Sequence, residues 1–274
     1  MLLGLAALPI VLWIIETWTE GLLGGAAAGL LAVPIAALLA WLASRRPVTG
    51  PASTRGAATL LLGASVGVVT SLLLADAHRD ALLLGGVCLP VALFGWLWGH
   101  LGWARARAYL FPVGFTLFAL PWEAFLRGSL DTPLQAWSTD IAVMLLGLAG
   151  YPVRWWNEIT LYSDAYYVIV NETCSGMNML VTLTMYALVF GWVAQPRIRN
   201  RILLIVLVFP LAMLANGTRV GVIYLLGHYG GRTLADGFWH TGSAYLIFLP
   251  VFWFLYVVNG ALLRRVLVRR AGPA

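Results

Sequence analysis

The chain has 274 residues, of which 61% are hydrophobic and 10% are charged, against about 25% charged residues in an average soluble domain. A water-soluble globule cannot bury so much apolar surface, so the composition excludes a soluble enzyme and a nucleic-acid-binding domain. All 17 basic residues are Arg, and they lie in short clusters between apolar runs, as in the loops of a multi-pass membrane protein. The absence of Lys indicates a genome of high GC content, which favours a bacterial source.

Eight apolar runs predict an all-α polytopic membrane protein with about eight transmembrane helices, because about 20 helical residues cross the hydrocarbon layer. We place the helices at 2–18, 21–43, 58–75, 81–98, 107–126, 174–194, 202–225 and 241–262. The first run is interpreted as a retained helix, since no positive charge precedes it and no A-x-A site follows it. With no repeat or linker, residues 1–274 are expected to form a single integral membrane domain.

Charge in the loops predicts the orientation of the chain. The Arg clusters at 45–55, 105–107, 197–201 and 264–270 all fall on one side of the predicted membrane, and the acidic residues fall on the other. The positive-inside rule makes the Arg side cytoplasmic. We therefore expect a multi-pass protein of the bacterial inner (plasma) membrane, with both termini in the cytoplasm and the lipid bilayer as its main partner.

One loop, 127–173, is long and is expected to form a small extracytoplasmic cap within the membrane domain. Its first half, 133–150, has an amphipathic helical pattern and is predicted to lie along the membrane surface. Aromatic and β-branched residues at 153–156 and 161–170 predict short strands. The aromatic residues of the cap are either interfacial belt residues or the wall of a substrate groove; they are Trp155, Trp156, Tyr162, Tyr166 and Tyr167.

Polar groups that fall within or at the ends of apolar spans are costly there, so they are candidate functional residues. Cys174 lies where the cap enters the sixth span, and a helix N-terminus favours the thiolate, which is the nucleophilic form. Arg219 lies inside the seventh span, with Asn216 on the same helical face. His240 opens the eighth span, and His228 is a rival for its role. Cys88 has only apolar neighbours and is interpreted as a small core residue.

The predicted topology places Cys174, Arg219 and His240 at one depth, near the extracytoplasmic face. A Cys nucleophile, a His that moves its proton and an Arg that stabilises an oxyanion are the parts that acyl transfer at a peptide or ester carbonyl requires. No metal or organic cofactor is expected, because the four His and two Cys residues are scattered along the chain.

These motifs also resemble those of the exosortase/archaeosortase family. The resemblance rests on Glu-x-Cys-Ser-Gly at 172–176, Asn-x-x-Arg-Val at 216–220 and the late His240. It implies a membrane-embedded cysteine transpeptidase in which Cys174 forms a thioester and Arg219 and His240 complete the triad. The implied substrates are exported proteins with a C-terminal sorting signal: a Pro-Glu-Pro-like motif, a transmembrane helix and an Arg-rich tail (PEP-CTERM). A His in the third role favours the bacterial exosortase branch.

Four further residues are expected to support the site or to bind substrate; they are Glu172, Ser175, Asn178 and Asn216. Three other interpretations stay open: a transporter that binds an anionic solute through Arg219, a structural subunit of an envelope assembly, and a serine intramembrane protease that uses Ser175. The transporter is the main alternative, although the sequence lacks the broken helices and inverted repeats that such proteins show. The client proteins, the recognition motif and the acyl acceptor do not follow from the sequence.

Overall fold

The computed structural model of the chain describes residues 8–15, 28–47, 53–75, 81–120, 129–151, 153–156, 160–162, 167–170, 175–231, 235 and 238–271. It gives the backbone alone for residues 28–31, 155–156, 238–245 and 267–271. This part of the chain is mostly helical. Its contacts divide into two compact units, Met1–Phe125 and Leu126–Ala274. The expectation of one domain over 1–274 stays a prediction.

Five described helices are long and apolar enough to cross a membrane. They are Ala57–Leu74, Ala81–Leu101, Met177–Ala194, Ile198–Gly230 and the segment Leu246–Val266 of a longer last helix. These helices agree with the predicted spans at 58–75, 81–98, 174–194, 202–225 and 241–262. A shorter apolar helix, Ala32–Ser44, falls in the second predicted span, and helical residues 8–15 fall in the first. The described residues therefore confirm a helical multi-pass protein but not the full count of eight.

The first unit contains helices α1 (residues 8–15), α2 (Ala28–Ser44), α3 (Ala57–Leu74) and α4 (Ala81–Leu101). The antiparallel pair of α3 and α4 approaches closely at Gly95, where a Cβ would lie 3.2 Å from a backbone nitrogen of α3. The Ser71 hydroxyl donates to the Ala81 carbonyl at 2.6 Å and links the two helices near their connecting loop. Cys88 is packed at the edge of an apolar cluster in this unit, as its sequence context predicts.

The fifth predicted span, 107–126, is not one continuous helix in the part that the structure describes. Helix α5 (Trp103–Ala106) is followed by a 3₁₀ turn (Arg107–Tyr109), α6 (Leu110–Phe115) and a second 3₁₀ turn (Thr116–Ala119). Leu120 is then extended, with ψ at 146°. It precedes Pro121, and a residue before proline is sterically pushed out of the α region. The described part of this run is helical as far as Ala119 and leaves the helical conformation at Leu120, so the prediction of one span over 107–126 is not confirmed.

The second unit contains α7 (Asp131–Leu148), α8 (Met177–Ala194), α9 (Ile198–Gly230) and α10 (Phe238–Ala271). A three-stranded antiparallel sheet lies between α7 and α8 in the chain, in the order β1 (Arg154–Trp156), β2 (Thr160–Tyr162) and β3 (Tyr167–Ile169). The short strands predicted for the cap are thereby confirmed. Leu161 of β2 and Val170, which follows β3, are fully buried. They pack in one apolar cluster with residues of α7 and α9.

Helix α7 runs alongside α9 and in the same chain direction. Trp137 contacts Phe209 edge-on at a centroid distance of 5.5 Å, and further along Leu146 reaches Gly221. A helix parallel to one that crosses a bilayer cannot also lie in the plane of that bilayer. The predicted helix at 133–150 is confirmed, but the expected orientation along the membrane surface does not agree with this packing. Asp131, at the start of α7, is buried.

Three buried amide side chains join the second unit where α8 ends, and we call Gln195, Asn200 and Asn259 the Gln195 cluster. Gln195 Nε2 donates to the carbonyl oxygen of Asn259 at 2.8 Å and to its side-chain Oδ1 at 2.6 Å. Asn200 Nδ2 donates to Gln195 Oε1 at 2.9 Å. Arg201 Nε donates to the Gln195 carbonyl at 2.8 Å. These bonds tie the end of α8 to the start of α9 and to the middle of α10.

Candidate functional site

The candidate site is built around the turn at which α8 begins. Gly176 is the residue that caps the helix, and its φ of +88° is a left-handed conformation that glycine adopts without strain. Ser175 is 1% exposed, and its Oγ accepts a hydrogen bond from the Met177 N–H at 3.3 Å. Cys174 and Glu172 lie outside the described residues. Cys174 is bonded directly to Ser175, at the entry to this turn.

Asn216 of α9 packs flat against the turn. A Cβ on Gly176 would lie 2.9 Å from both Cγ and Nδ2 of Asn216, so only glycine lets the two segments approach this closely. Asn216 Nδ2 donates to Ser138 Oγ of α7 at 2.9 Å, and Ser138 Oγ donates to the Ser175 carbonyl at 3.5 Å. We call Ser138, Ser175, Gly176 and Asn216 the Asn216 cluster.

Arg219 follows Asn216 by one helical turn on α9 and is 8% exposed. Residues three positions apart on a helix are neighbours, with Cβ atoms about 5–6 Å apart. A buried guanidinium in a helix apolar enough to cross a membrane is costly and marks a functional site by default. Its burial is against the interpretation that Arg219 simply extends to the membrane surface.

The register of α8 and α10 determines which residues of α10 lie level with the turn. The two helices run in the same chain direction, since Tyr186 contacts Phe248 and Phe252 while Phe190 contacts Phe252 and Tyr256. Farther along the pair, Gln195 bonds to Asn259, which is 64 positions later in the chain.

Continued to the start of both helices, the same offset of 64 would set His240 level with Gly176. The backbone of His240 is helical and belongs to the first turn of α10, and its side chain lies outside the described part. Helix α9 is antiparallel to α8, because Gly191 lies against Arg201 and Gly176 lies against Asn216. Ser175 therefore lies beside the middle of α9 at Asn216, and α8 and α10 begin at the same end of the unit.

The remaining predicted site residues lie as follows. Asn178 is half-buried in the first turn of α8, where its carbonyl accepts a hydrogen bond from Thr182 Oγ1 at 2.7 Å. His228 lies two and a half turns beyond Arg219 on α9, about 13 Å along the helix. Its ring stacks on Tyr224 and contacts Tyr151 and Tyr229 edge-on. The structure thus separates His228 from the Asn216 cluster along the helix.

Ser138 is a member of the cluster that the sequence did not reveal. A single Ser in an amphipathic helix forms no motif and has no charge to mark it. The available signal was spacing: the residues at 131, 135, 138, 142 and 146 form one stripe along a helix, and all five are buried. A stripe that mixes polar and apolar residues and faces inward indicates helix-to-helix packing with internal hydrogen bonds.

Within the described ranges, no three His, Cys, Asp or Glu side chains are grouped so that they could hold a metal ion. The described polar side chains of the Asn216 cluster are two hydroxyls and one amide, and the guanidinium of Arg219 lies one helical turn away; such groups suit hydrogen bonding to a carbonyl or an oxyanion.

Comparison with known proteins adds one finding. The family model of transmembrane exosortases matches residues 18–257, which is most of the chain and includes every candidate site residue. No curated protein matches the chain, and no solved structure matches it either.

Proposed function

Because the chain belongs to the transmembrane exosortase family, we propose that it is a membrane cysteine transpeptidase that cleaves C-terminal sorting signals of exported proteins. Family membership supports a membrane transpeptidase-type role on proteins with sorting signals. The proposal adds a PEP-CTERM-like tail as substrate and a thioester on Cys174 as intermediate. The observation that carries it is the contact of Asn216 with the turn that follows Cys174, with buried Arg219 one helical turn farther along α9.

In the first step, the Cys174 thiolate attacks the carbonyl carbon of the scissile peptide bond. A C–S bond forms and the carbonyl oxygen takes up the negative charge of the tetrahedral intermediate. Buried Arg219 is the cation proposed to stabilise this oxyanion, because a fixed charge in a site without water requires no reorganisation as the new charge develops. A hydrogen-bond donor or cation in this role commonly contributes about 100-fold or more to the rate.

In the second step, the intermediate collapses and the peptide C–N bond breaks. His240 is proposed to take the thiol proton before the attack and to donate it to the leaving amine of the tail, as a general base and then a general acid. The thioester on Cys174 then passes its acyl group to an amine or to water, which restores the free thiol. His240 suits this role because the α8–α10 register brings its backbone level with Gly176.

The position of the site in the membrane follows from the same proposal. If the Arg-rich start of α9 at 197–201 faces the cytoplasm, the Asn216 cluster lies toward the extracytoplasmic side. A client helix that lies in the bilayer beside α8–α10 then presents its cleavage motif to Cys174. Both termini are proposed to be cytoplasmic, and the membrane to be the bacterial inner membrane.

The test uses the two Cys residues as a matched pair. Membranes are prepared from cells that express the full chain, Cys174→Ala or Cys88→Ala, each with a reporter protein that ends in a candidate sorting tail. Cys174→Ala is expected to abolish removal of the tail, because the nucleophile is gone. Cys88→Ala is expected to leave removal unchanged, since Cys88 is packed in the other unit.

Two results would overturn the proposal. Tail removal by Cys174→Ala at the rate of the unmutated chain would remove Cys174 from the reaction. Loss of tail removal in Cys88→Ala, with Cys174→Ala still active, would move the nucleophile to Cys88.

A second pair decides between the two candidate His residues. His240→Gln is expected to lower the rate of tail removal by about 10²–10⁴-fold, the usual contribution of general acid–base catalysis. His228→Gln is expected to change it less than threefold, because His228 packs among three Tyr rings about 13 Å along α9 from Arg219. The opposite order of effects would assign the role to His228.

A further inference from the structure

Ser138 occupies the middle of α7 and is fully buried, at 0% exposure. Its hydroxyl lies between two segments of the proposed active site. It accepts a hydrogen bond from Asn216 Nδ2 at 2.9 Å and donates one to the Ser175 carbonyl at 3.5 Å. A serine hydroxyl has one donor hydrogen and two lone pairs, so it can form both bonds at once.

The backbone around Ser138 is held firmly against α9. A Cβ on Gly217 would lie 3.1 Å from the Ser138 carbonyl oxygen and would collide with the side chain of Ile141. Gly217 therefore lets α7 and α9 pack at close range. Because Trp137 also packs against Phe209, Ser138 is fixed on a rigid element, and its hydroxyl can hold a neighbouring segment in place.

We infer that Ser138 is a positioning residue for the nucleophile, an inference that rests on the proposed function. The Ser175 carbonyl is one residue from Cys174, so a bond to it restricts rotation of the chain through which the thiol is attached. The bond from Asn216 keeps the amide against Gly176. Helix α7 thereby sets the position of the turn at Ser175 and Gly176 relative to Arg219, although α7 contributes no group that reacts.

Thr139 supplies the matched control on the same helix. It is also 0% exposed, but its Oγ1 donates to the Gln135 carbonyl at 2.9 Å, one turn back in α7. Thr139→Val removes a buried hydroxyl while keeping the shape of the side chain. Ser138→Ala removes a buried hydroxyl that bridges two other segments. A general effect of hydroxyl loss on folding would appear in both variants.

The experiment measures tail removal at several reporter concentrations for the full chain in detergent, per amount of monodisperse protein. Ser138→Ala is expected to lower kcat about tenfold and to leave KM within a factor of two, because substrate contacts remain while the thiol is less often in position. Thr139→Val is expected to keep both constants within a factor of two.

A double-mutant cycle separates positioning from a merely structural role. Because Ser138 bonds to Asn216 as well as to the Ser175 carbonyl, Ser138→Ala combined with Asn216→Ala is expected to lower kcat by less than the product of the two single effects. Thr139→Val combined with Asn216→Ala is expected to be additive.

The inference fails if Ser138→Ala retains the kcat of Thr139→Val, or if its effect is fully additive with that of Asn216→Ala. Cys174→Ala is measured in the same series. If Cys174→Ala still removes the tail, or the unmutated chain does not, the proposed function fails. That result differs from one in which the unmutated chain is active and Ser138→Ala leaves kcat unchanged.

Discussion

Buried amide side chains lie at both ends of α8, but they hold different kinds of structure in place. At the C-terminal end, the Gln195 cluster joins three helices through hydrogen bonds of 2.6–2.9 Å. At the N-terminal end, about 27 Å away along the helix, Asn216 packs against a glycine turn and bonds to a serine of α7. The first end ties regular helices together, and the second holds an irregular turn.

On the proposed function, the buried polar groups at the first end serve stability and those at the second end serve chemistry. In the Gln195 cluster the hydrogen-bond partners are amides and backbone carbonyls, and none of these groups is a nucleophile. In the Asn216 cluster the same kind of bond acts on the residue next to a thiol, one helical turn from a buried guanidinium. Substitutions at the first end should therefore lower stability, and substitutions at the second should lower activity.

The largest expected contrast is between two Arg residues of α9. Arg219→Gln is expected to lower kcat for tail removal by about 100-fold or more, because the proposed oxyanion loses its cation. Arg201→Gln removes the donor to the Gln195 carbonyl and is expected to change kcat less than threefold. The measurement is the initial rate of tail removal by purified protein, normalised to folded protein. Equal losses in the two variants would contradict the division of roles.

The second contrast compares the amides themselves. Asn216→Ala is expected to lower kcat about tenfold or more, because the turn before α8 loses its support. Gln195→Ala leaves Asn200 and Asn259 without their partner in a buried site and is expected to cost about 1–3 kcal/mol of stability. Thermal midpoints in detergent and kcat at a low temperature are measured for both. If Gln195→Ala lowers kcat of the folded protein as much as Asn216→Ala does, the two clusters do not differ in function.

The smallest contrast uses two glycines. Gly176→Ala forces a side chain into a left-handed conformation and against Asn216, which is expected to cost about 1–3 kcal/mol and to lower kcat a few-fold. Gly147→Ala in α7 meets no atom within 4 Å and is expected to be neutral or stabilising by up to about 1 kcal/mol. The thermal midpoints and tail-removal rates of the two variants are compared side by side. An active, equally stable Gly176→Ala would show that the turn does not need glycine.

Most of the long helices could be predicted from the sequence, because an apolar run of about 18 residues or more is typical of a membrane-spanning helix. The predicted bounds of α3, α4 and α8 differ from the observed ones by at most three residues, whereas α9 and α10 extend up to nine residues beyond the predicted spans. The break before Pro121 was missed, since hydropathy averages over the backbone geometry that proline imposes. The course of α7 beside α9 was missed because a helix with two Asp residues has the composition of a surface helix.

Part of the candidate site could be predicted from the same apolar runs. Arg219 and Asn216 stand out as polar residues in an apolar run, and topology alone brings them to the end where α8 starts. The hydrogen bonds of Ser138 depend on how two helices pack, and no local pattern encodes that packing. Cys174, Glu172 and the side chain of His240 lie outside the described residues, so their roles stay predictions.

The most direct test of the account is to trap the acyl intermediate on the enzyme. The unmutated chain is incubated with the reporter and quenched in acid during turnover, and peptides of the denatured chain are analysed by mass spectrometry, with and without hydroxylamine. The account predicts a reporter fragment, ending at the cleavage site, attached to Cys174 and released by hydroxylamine as expected of a thioester. A fragment attached to Ser175, or tail removal that passes through no adduct at Cys174, would contradict it.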